Sequence, residues 1–177
     1  MARLPYAETD TPERRRIAER IVAERGSLLH LYSMLLHSAP VAEGWLNYLT
    51  AIRQKSTLPG DIREMVIMRV ADLNGASYEA DQHAPIALRE GMSEAQLHAL
   101  PNWREADCFT PLQRAVLDYT DMMTKQVQVT DEVFGAVAKL FPDSQMVELT
   151  ATVAAYNMVS RFLEALRIHS HDAPAKR

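Results

Sequence analysis

Two residues in the middle of the chain have side chains suited to proton transfer. Glu79 and His83 are four residues apart in a segment of helical periodicity, so their side chains share one face of a helix and can meet. A carboxylate beside an imidazole fixes the tautomer of the ring, and histidine titrates near neutral pH. The pair predicts general acid/base chemistry. The alternative is that Glu79 and His83 form a surface pair without a catalytic role, which would stabilise the helix by roughly a few tenths of a kcal/mol.

A third candidate, Glu64, interrupts an apolar helical segment that runs from Ile62 to Val70. Its carboxylate either points to solvent or is turned inward, and an inward carboxylate at the edge of an apolar face often has a function. Pro85 follows His83 by two residues and removes a backbone hydrogen bond. We expect a kink there, which either opens space beside His83 or only bends the helix for packing.

Other chemistries have little support in the sequence. His30 and His37 are seven residues apart, and no His-x-x-x-His or Glu-x-x-His pair occurs, so no metal site is predicted. The single cysteine, Cys108, cannot form an internal disulfide or a Cys-x-x-Cys centre and suits a reducing compartment. Glycine-rich phosphate loops and nucleophile-elbow serines are absent. The sequence therefore gives no motif for a metal, a phosphate group or a hydrolase triad.

These residues must be positioned by helices. The chain has 177 residues, of which 47% are hydrophobic and 24% charged, as is usual for one globular domain, and we expect residues 1–177 to form one. Only six glycines occur, and apolar residues recur every three to four positions, which predicts an all-α bundle of seven to nine helices. The net charge of -4 argues against nucleic-acid binding. Without a long apolar run or signal sequence, we expect a cytoplasmic protein with no membrane contact.

Start and stop signals give the boundaries of the predicted elements. Threonine followed by proline opens helices at Thr11 and Thr110, and Ser93 with Gln96 forms a capping-box pattern. The remaining helices are expected over 28–37, 41–55, 61–73, 78–90, from 131 onward and over 142–168, with a left-handed residue at Gly75, a loop over 102–109 and a frayed tail over 169–177.

The segment LPGDIREMVIMRVADLNGASYE, residues 58–79, followed by His83 and Gly91-Met92-Ser93, resembles the carboxymuconolactone decarboxylase-like family. The match is strongest over residues 40–100, and residues 157–166 resemble the last helix of longer members. The resemblance implies an all-helical, single-domain bundle of the alkyl hydroperoxidase D-like type. It also implies a cofactor-free or redox-thiol activity and assembly as a homotrimer or homohexamer.

The peroxidase branch of this family uses a glutamate, a Cys-x-x-Cys pair and a histidine. Glu64 and His83 fall on the glutamate and histidine positions, but Ala76 and Glu79 occupy the two cysteine positions. Disulfide cycling needs an attacking and a resolving thiol, so we do not expect thiol peroxidase activity. The decarboxylase branch has a glutamate four residues before the histidine, as Glu79 and His83 stand here.

The resemblance implies a carboxy-lyase that acts on a small carboxylated lactone or keto acid. Loss of carbon dioxide leaves an enolate-like charge that needs a stabilising group and a proton donor. We expect His83 to donate the proton and Glu79 to orient it. Glu64 makes a second polar contact or shares the proton.

An arginine is expected to bind the carboxylate of the substrate through its two-donor fork. Arg161 is the first candidate because it breaks an apolar helix face, and Arg63 and Arg69 compete with it. Tyr78 and Arg69 complete the predicted substrate-binding set. Two alternatives remain open: a non-catalytic protein that binds small acids or serves as an oligomeric interaction protein, and a residual peroxidase that relies on Cys108.

Overall fold

The computed structural model describes residues 1–172, which form nine α-helices and no strand. The all-α prediction is confirmed. The helices are α1 (Pro12–Arg25), α2 (His30–Leu35), α3 (Ala39–Thr50), α4 (Gly60–Asn74), α5 (Ser77–Arg89), α6 (Glu94–Ala99), α7 (Pro111–Gln126), α8 (Asp131–Ala138) and α9 (Asp143–Leu166). Among these residues, none of the helices is both long and apolar enough to cross a membrane.

Local capping chemistry sets the start of four of the described helices, α1, α6, α7 and α8. The Thr11 side chain accepts a hydrogen bond from the Arg14 amide at the start of α1, and capping boxes open α6 at Ser93 and α7 at Thr110. The predicted helix over 41–55 differs in its second half, because α3 ends at Thr50 and a π-helical turn, Ala51–Lys55, follows it. Helix α5 runs unbroken through Pro85, so the proline does not end the helix.

Residues 1–55 and 163–172 form one compact unit. In it, α1 packs against α2 and α3. The N-terminal segment contacts the end of the described residues, because the Tyr6 hydroxyl donates to Asp172 at 2.6 Å and the Asp172 carboxylate accepts from the His169 amide at 3.0 Å. The tail expected to fray is therefore hydrogen-bonded over residues 169–172, and its remainder, residues 173–177, lies outside the described residues.

Residues 56–162 form the second compact unit, which contains all three predicted acid/base residues. Helix α4 packs against both α5 and α7. Gly75 ends α4 with φ of 67°, a left-handed conformation in which a Cβ is strained, so the chain can reverse tightly into α5. This α4–α5 hairpin brings two helix faces together and thereby positions the candidate site.

Candidate active site

Three helices of the second unit contribute the polar side chains of the site. Helix α4 carries Arg63 and Glu64, α5 carries Glu79 and His83, and α9 carries Tyr156. Because the Gly75 turn folds α5 back on α4, residues 19 positions apart in sequence face each other. The site is thus assembled by the hairpin and completed by a residue from the long C-terminal helix.

A short hydrogen bond between Glu64 and His83 is the centre of the site. The Glu64 Oε2 atom lies 2.7 Å from His83 Nδ1, and the two residues are only 1% and 4% exposed. An ionised carboxylate only accepts hydrogen bonds, so we assign Nδ1 as the donor. Glu64 therefore fixes both the orientation of the imidazole and the nitrogen that carries its structural proton.

The other ring nitrogen faces two further polar groups. The Nε2 atom of His83 lies 3.4 Å from the Tyr156 hydroxyl and 3.8 Å from Glu79 Oε1. Tyr156 packs edge-on against the imidazole, with an interplanar angle of 88° and centroids 5.2 Å apart. Tyr156 and Glu79 are also buried. A reacting group at Nε2 would thus meet a hydroxyl and a carboxylate in addition to the imidazole.

Arg63 connects the buried pair to the surface. Its Nε donates to Glu64 Oε1 at 3.3 Å, and its Nη2 lies 3.5 Å from Glu90 Oε2. The Glu90 side chain is 40% exposed. A side chain at position 60 would meet the Glu90 carboxylate, so Gly60 leaves the room that this carboxylate occupies. A chain of charged contacts therefore runs from His83 through Glu64 and Arg63 to the exposed Glu90.

The four buried groups of the cluster, Arg63, Glu64, Glu79 and His83, differ in charge. With Glu64 and Glu79 ionised, Arg63 charged and His83 neutral, the four groups sum to a charge of -1. Buried charge is costly unless it is balanced by a partner. One added proton on the imidazole would bring the sum over these four groups to zero.

The structure brings together the three predicted acid/base residues but distributes their contacts differently from the expectation. Glu64 makes the 2.7 Å hydrogen bond that we expected from Glu79, whereas Glu79 lies 3.8 Å from the ring. The physical reason is tertiary. The i,i+4 spacing puts Glu79 and His83 on one face, but the hairpin aims the Glu64 carboxylate directly at Nδ1.

Two of the arginines expected to bind substrate have other surroundings in the structure, and their role in substrate binding stays a prediction. Arg69 is buried and makes a bidentate pair with Asp121, with Nε–Oδ1 and Nη2–Oδ2 distances of 2.6 and 2.9 Å. Its Nη1 donates to Asp72 and to the Leu100 carbonyl, so its donors serve the fold. Arg161 is exposed on α9, about 140° around the helix from Tyr156 at 100° per residue.

The pKa of Asp121 reflects this ion pair. Burial alone would raise it, but the hydrogen bonds and positive charge of Arg69, assisted by Lys125 and Trp103, lower the pKa below the usual value of 3.8. Asp121 therefore stays ionised in the folded protein. The Arg69–Asp121 pair is a structural link between α4 and α7.

Two further residues named from the sequence are Tyr78 and Cys108. Tyr78 is buried in the first turn of α5, next to Glu79 in sequence. Cys108 is exposed in the segment before α7. The sequence reasoning missed Tyr156, for which the only signal is a polar Tyr-Asn pair within the apolar α9 segment, and it ranked Arg63 behind Arg161.

Comparison with known proteins agrees with this helical arrangement. Residues 39–122 match the model of the Carboxymuconolactone decarboxylase family, and this range contains Glu64, Glu79 and His83. Over this segment, which is just under half of the chain, the sequence is similar to that family. The resemblance predicted from the sequence is thereby confirmed. The chain is also 26% identical to the uncharacterized protein YdfG of Bacillus subtilis (strain 168), over 64% of this chain and 78% of that protein.

Solved structures show that the carboxymuconolactone decarboxylase-family segment lies within an alkylhydroperoxidase AhpD-like fold. An uncharacterized peroxidase-related protein from Ralstonia eutropha JMP134, described as an alkylhydroperoxidase AhpD core, superposes with a TM-score of 0.82 at 22% identity, covering 97% of this chain and 93% of its own. The debrominase Bmp8 gives a TM-score of 0.77 at 16% identity, covering 97% and 90%. At these identities the likeness shows the fold alone.

Proposed function

We propose that this chain is a cofactor-free acid/base enzyme that removes carbon dioxide from a small carboxylated lactone or keto acid. The observation that carries the proposal is the buried Glu64–His83 hydrogen bond, whose second ring nitrogen faces Tyr156 and Glu79. The similarity of residues 39–122 to the carboxymuconolactone decarboxylase family supports this reaction class. The two cysteine positions of the peroxidase branch hold Ala76 and Glu79, which leaves acid/base chemistry to this site.

In the proposed reaction, the bond between the substrate's α-carbon and its carboxylate breaks. The electron pair moves into the adjacent carbonyl of a 3-keto acid, or through the ring double bond into the carbonyl of an unsaturated lactone, to give an enolate, and carbon dioxide leaves. The imidazolium of His83 then transfers its Nε2 proton to the α-carbon, and solvent reprotonates the ring. Glu64 stabilises the imidazolium through Nδ1, as a hydrogen-bonded carboxylate does for a general acid.

Tyr156 and Glu79 have complementary roles in this proposal. The Tyr156 hydroxyl, 3.4 Å from Nε2, is placed to donate a hydrogen bond to the enolate oxygen while the charge develops. Glu79, 3.8 Å from the same nitrogen, favours the charged imidazolium before proton transfer. Both side chains are buried, so water screens these interactions little.

Arg63 is the arginine that we propose for the substrate carboxylate. Its guanidinium contacts Glu64, and its Nη2 atom makes a long 3.5 Å contact with the exposed Glu90 carboxylate. A planar guanidinium binds a carboxylate through two parallel hydrogen bonds. A substrate carboxylate would therefore displace Glu90, whose side chain competes for the same edge.

The proposal is tested by turnover of 4-carboxymuconolactone and of small keto acids, followed in the ultraviolet. Arg63→Met should raise KM at least tenfold, since each lost charge-assisted hydrogen bond is worth about 1.5–3 kcal/mol. Glu90→Gln should lower KM because it removes the competing carboxylate. Arg89→Met, at an exposed position of α5, is the matched control and should leave KM unchanged.

Saturable binding of these acids without turnover would contradict the decarboxylase proposal and favour a small-acid-binding protein of the same fold. An unchanged KM in Arg63→Met, with turnover intact, would remove Arg63 from the substrate site.

A further inference from the structure

The part of helix α9 that lies in the second unit has one buried face and one face exposed to solvent. One face is buried and carries Tyr156 of the candidate site. The opposite face is open to solvent although its centre is apolar: Val147 is 68% and Met158 38% exposed, and Ala154 is exposed between them. Large apolar side chains at such exposure mark interaction surfaces when they are contiguous.

Three exposed residues and the partly buried Ala151 form a continuous stripe. Val147, Ala151, Ala154 and Met158 follow one another at spacings of four, three and four residues, which is the spacing of the core positions of a coiled coil. At 100° per residue these positions fall within about 60° of arc. The two central alanines allow another helix to approach to the short end of the usual distance, about 8 Å.

A groove runs beside this stripe, between α8 and α9. It has a volume of about 530 Å³ and is lined mainly by apolar side chains, including Phe134, Val147, Ala151 and Ala154. Phe134 is itself 48% exposed on the α8 wall. The groove can therefore accept a side chain that projects from a helix packed on the stripe.

Opposite charges stand at the two ends of the stripe. Asp143 lies at its N-terminal end and Arg161 at its C-terminal end, about 27 Å apart at 1.5 Å per residue. Both residues are exposed, and neither makes an ion pair within residues 1–172. Around the helix axis, both residues lie about 20° outside the arc that the four residues of the stripe span.

We infer that this stripe is a two-fold interface with a second copy of the chain, in which the two α9 helices pack antiparallel. In that arrangement Val147 lies opposite the second copy's Met158, and Ala151 lies opposite the second copy's Ala154. Asp143 then falls within one residue of the position opposite Arg161. The same register that matches large with large and small with small residues also pairs the two free charges.

The charges favour the antiparallel over the parallel arrangement. Parallel helices would place Asp143 against Asp143 and Arg161 against Arg161, and like charges repel. In the antiparallel pair, the second copy's Met158 enters the groove beside Phe134. A two-fold contact of this kind is self-complementary, so it produces assemblies with an even number of subunits.

Charge exchange tests the interface. Light scattering coupled to size exclusion, over a concentration series, should show an even-numbered assembly for the wild type. Asp143→Arg and Arg161→Asp should each halve the mass, and the double variant should restore it because the charges are exchanged. Arg89→Asp and Glu105→Arg, exposed charges away from α9, are the controls and should leave the mass unchanged. Circular dichroism verifies folding.

Cysteine cross-linking in a Cys108→Ser background tests the register. Val147→Cys combined with Met158→Cys should give a disulfide-linked dimer, whereas Val147→Cys alone should not, since its two copies would stand about 16 Å apart along the axis. The inference is overturned if the wild type is a monomer or has an odd number of subunits. It is also overturned if the single charge variants leave the mass unchanged, or if the double variant fails to restore it. Cross-linking by Val147→Cys alone would contradict the antiparallel register.

Discussion

Replacing Arg69 by lysine separates a structural role of this residue from the substrate-binding role that the sequence suggested. Arg69 is buried and makes four short hydrogen bonds, two to the Asp121 carboxylate and one each to Asp72 and the Leu100 carbonyl. Lysine keeps the charge, but a single ammonium cannot reproduce the planar two-donor fork. The variant therefore removes hydrogen-bond geometry while it preserves electrostatics.

The expected magnitude follows from the bonds lost. Lysine can retain one charge-assisted hydrogen bond to Asp121, but it loses the second, worth about 1.5–3 kcal/mol, and leaves the Leu100 carbonyl without its charged donor. We expect the free energy of unfolding to fall by about 3 kcal/mol. For a chain of this length that corresponds to a decrease in Tm of roughly 6–12 °C.

Thermal and denaturant unfolding, at one fixed protein concentration, measure this change. Arg89→Lys is the control, since an exposed arginine without structural partners should change stability by less than about 0.5 kcal/mol. KM for any carboxylate substrate should stay at the wild-type value in Arg69→Lys. A variant of unchanged stability with a raised KM would refute the structural assignment of Arg69.

Three further predictions concern other parts of the second unit. The pKa of Asp121 is lowered in the folded state, so its carboxylate contributes fully to stability above the unfolded pKa of about 4. This contribution is lost as the pH falls through the lower pKa of the folded state. Denaturant titrations should therefore show that the difference in the free energy of unfolding between the wild type and Asp121→Asn shrinks below about pH 4. Gly75→Ala should lower the free energy of unfolding by about 1–2 kcal/mol, since φ at this position is 67° and a Cβ is strained there. An unchanged midpoint of denaturant unfolding would contradict this expectation. Cys108→Ser should leave both stability and turnover unchanged, because the thiol is exposed and lies outside the candidate site; loss of peroxide consumption in this variant would instead reveal a thiol activity.

The local structure was predictable because it depends on neighbours in sequence. The Thr11, Ser93 and Thr110 caps and the left-handed Gly75 all act within three or four residues, and each is present as expected. The π-helical turn after Thr50 has no comparable local signature, so the predicted helix continued through it.

Tertiary contacts account for what the sequence reasoning missed. The spacing of Glu79 and His83 indicated a shared face, but the shorter contact comes from Glu64 across the hairpin, 19 residues away. The partner of Arg69 is 52 residues distant, so no local pattern reveals that pair. Arg161 appeared to interrupt one apolar face, whereas α9 has two, one buried and one exposed.

The proposed function depends on His83, held by Glu64, as the proton donor of a decarboxylase. The most direct test compares kcat of the wild type with that of His83→Gln on 4-carboxymuconolactone and on small keto acids. The account predicts turnover of at least one of these acids by the wild type and a loss of about 10²–10⁴-fold in the folded variant, the usual contribution of a general acid. Equal kcat in the two proteins, or no decarboxylation of any of these acids by the wild type, would contradict it.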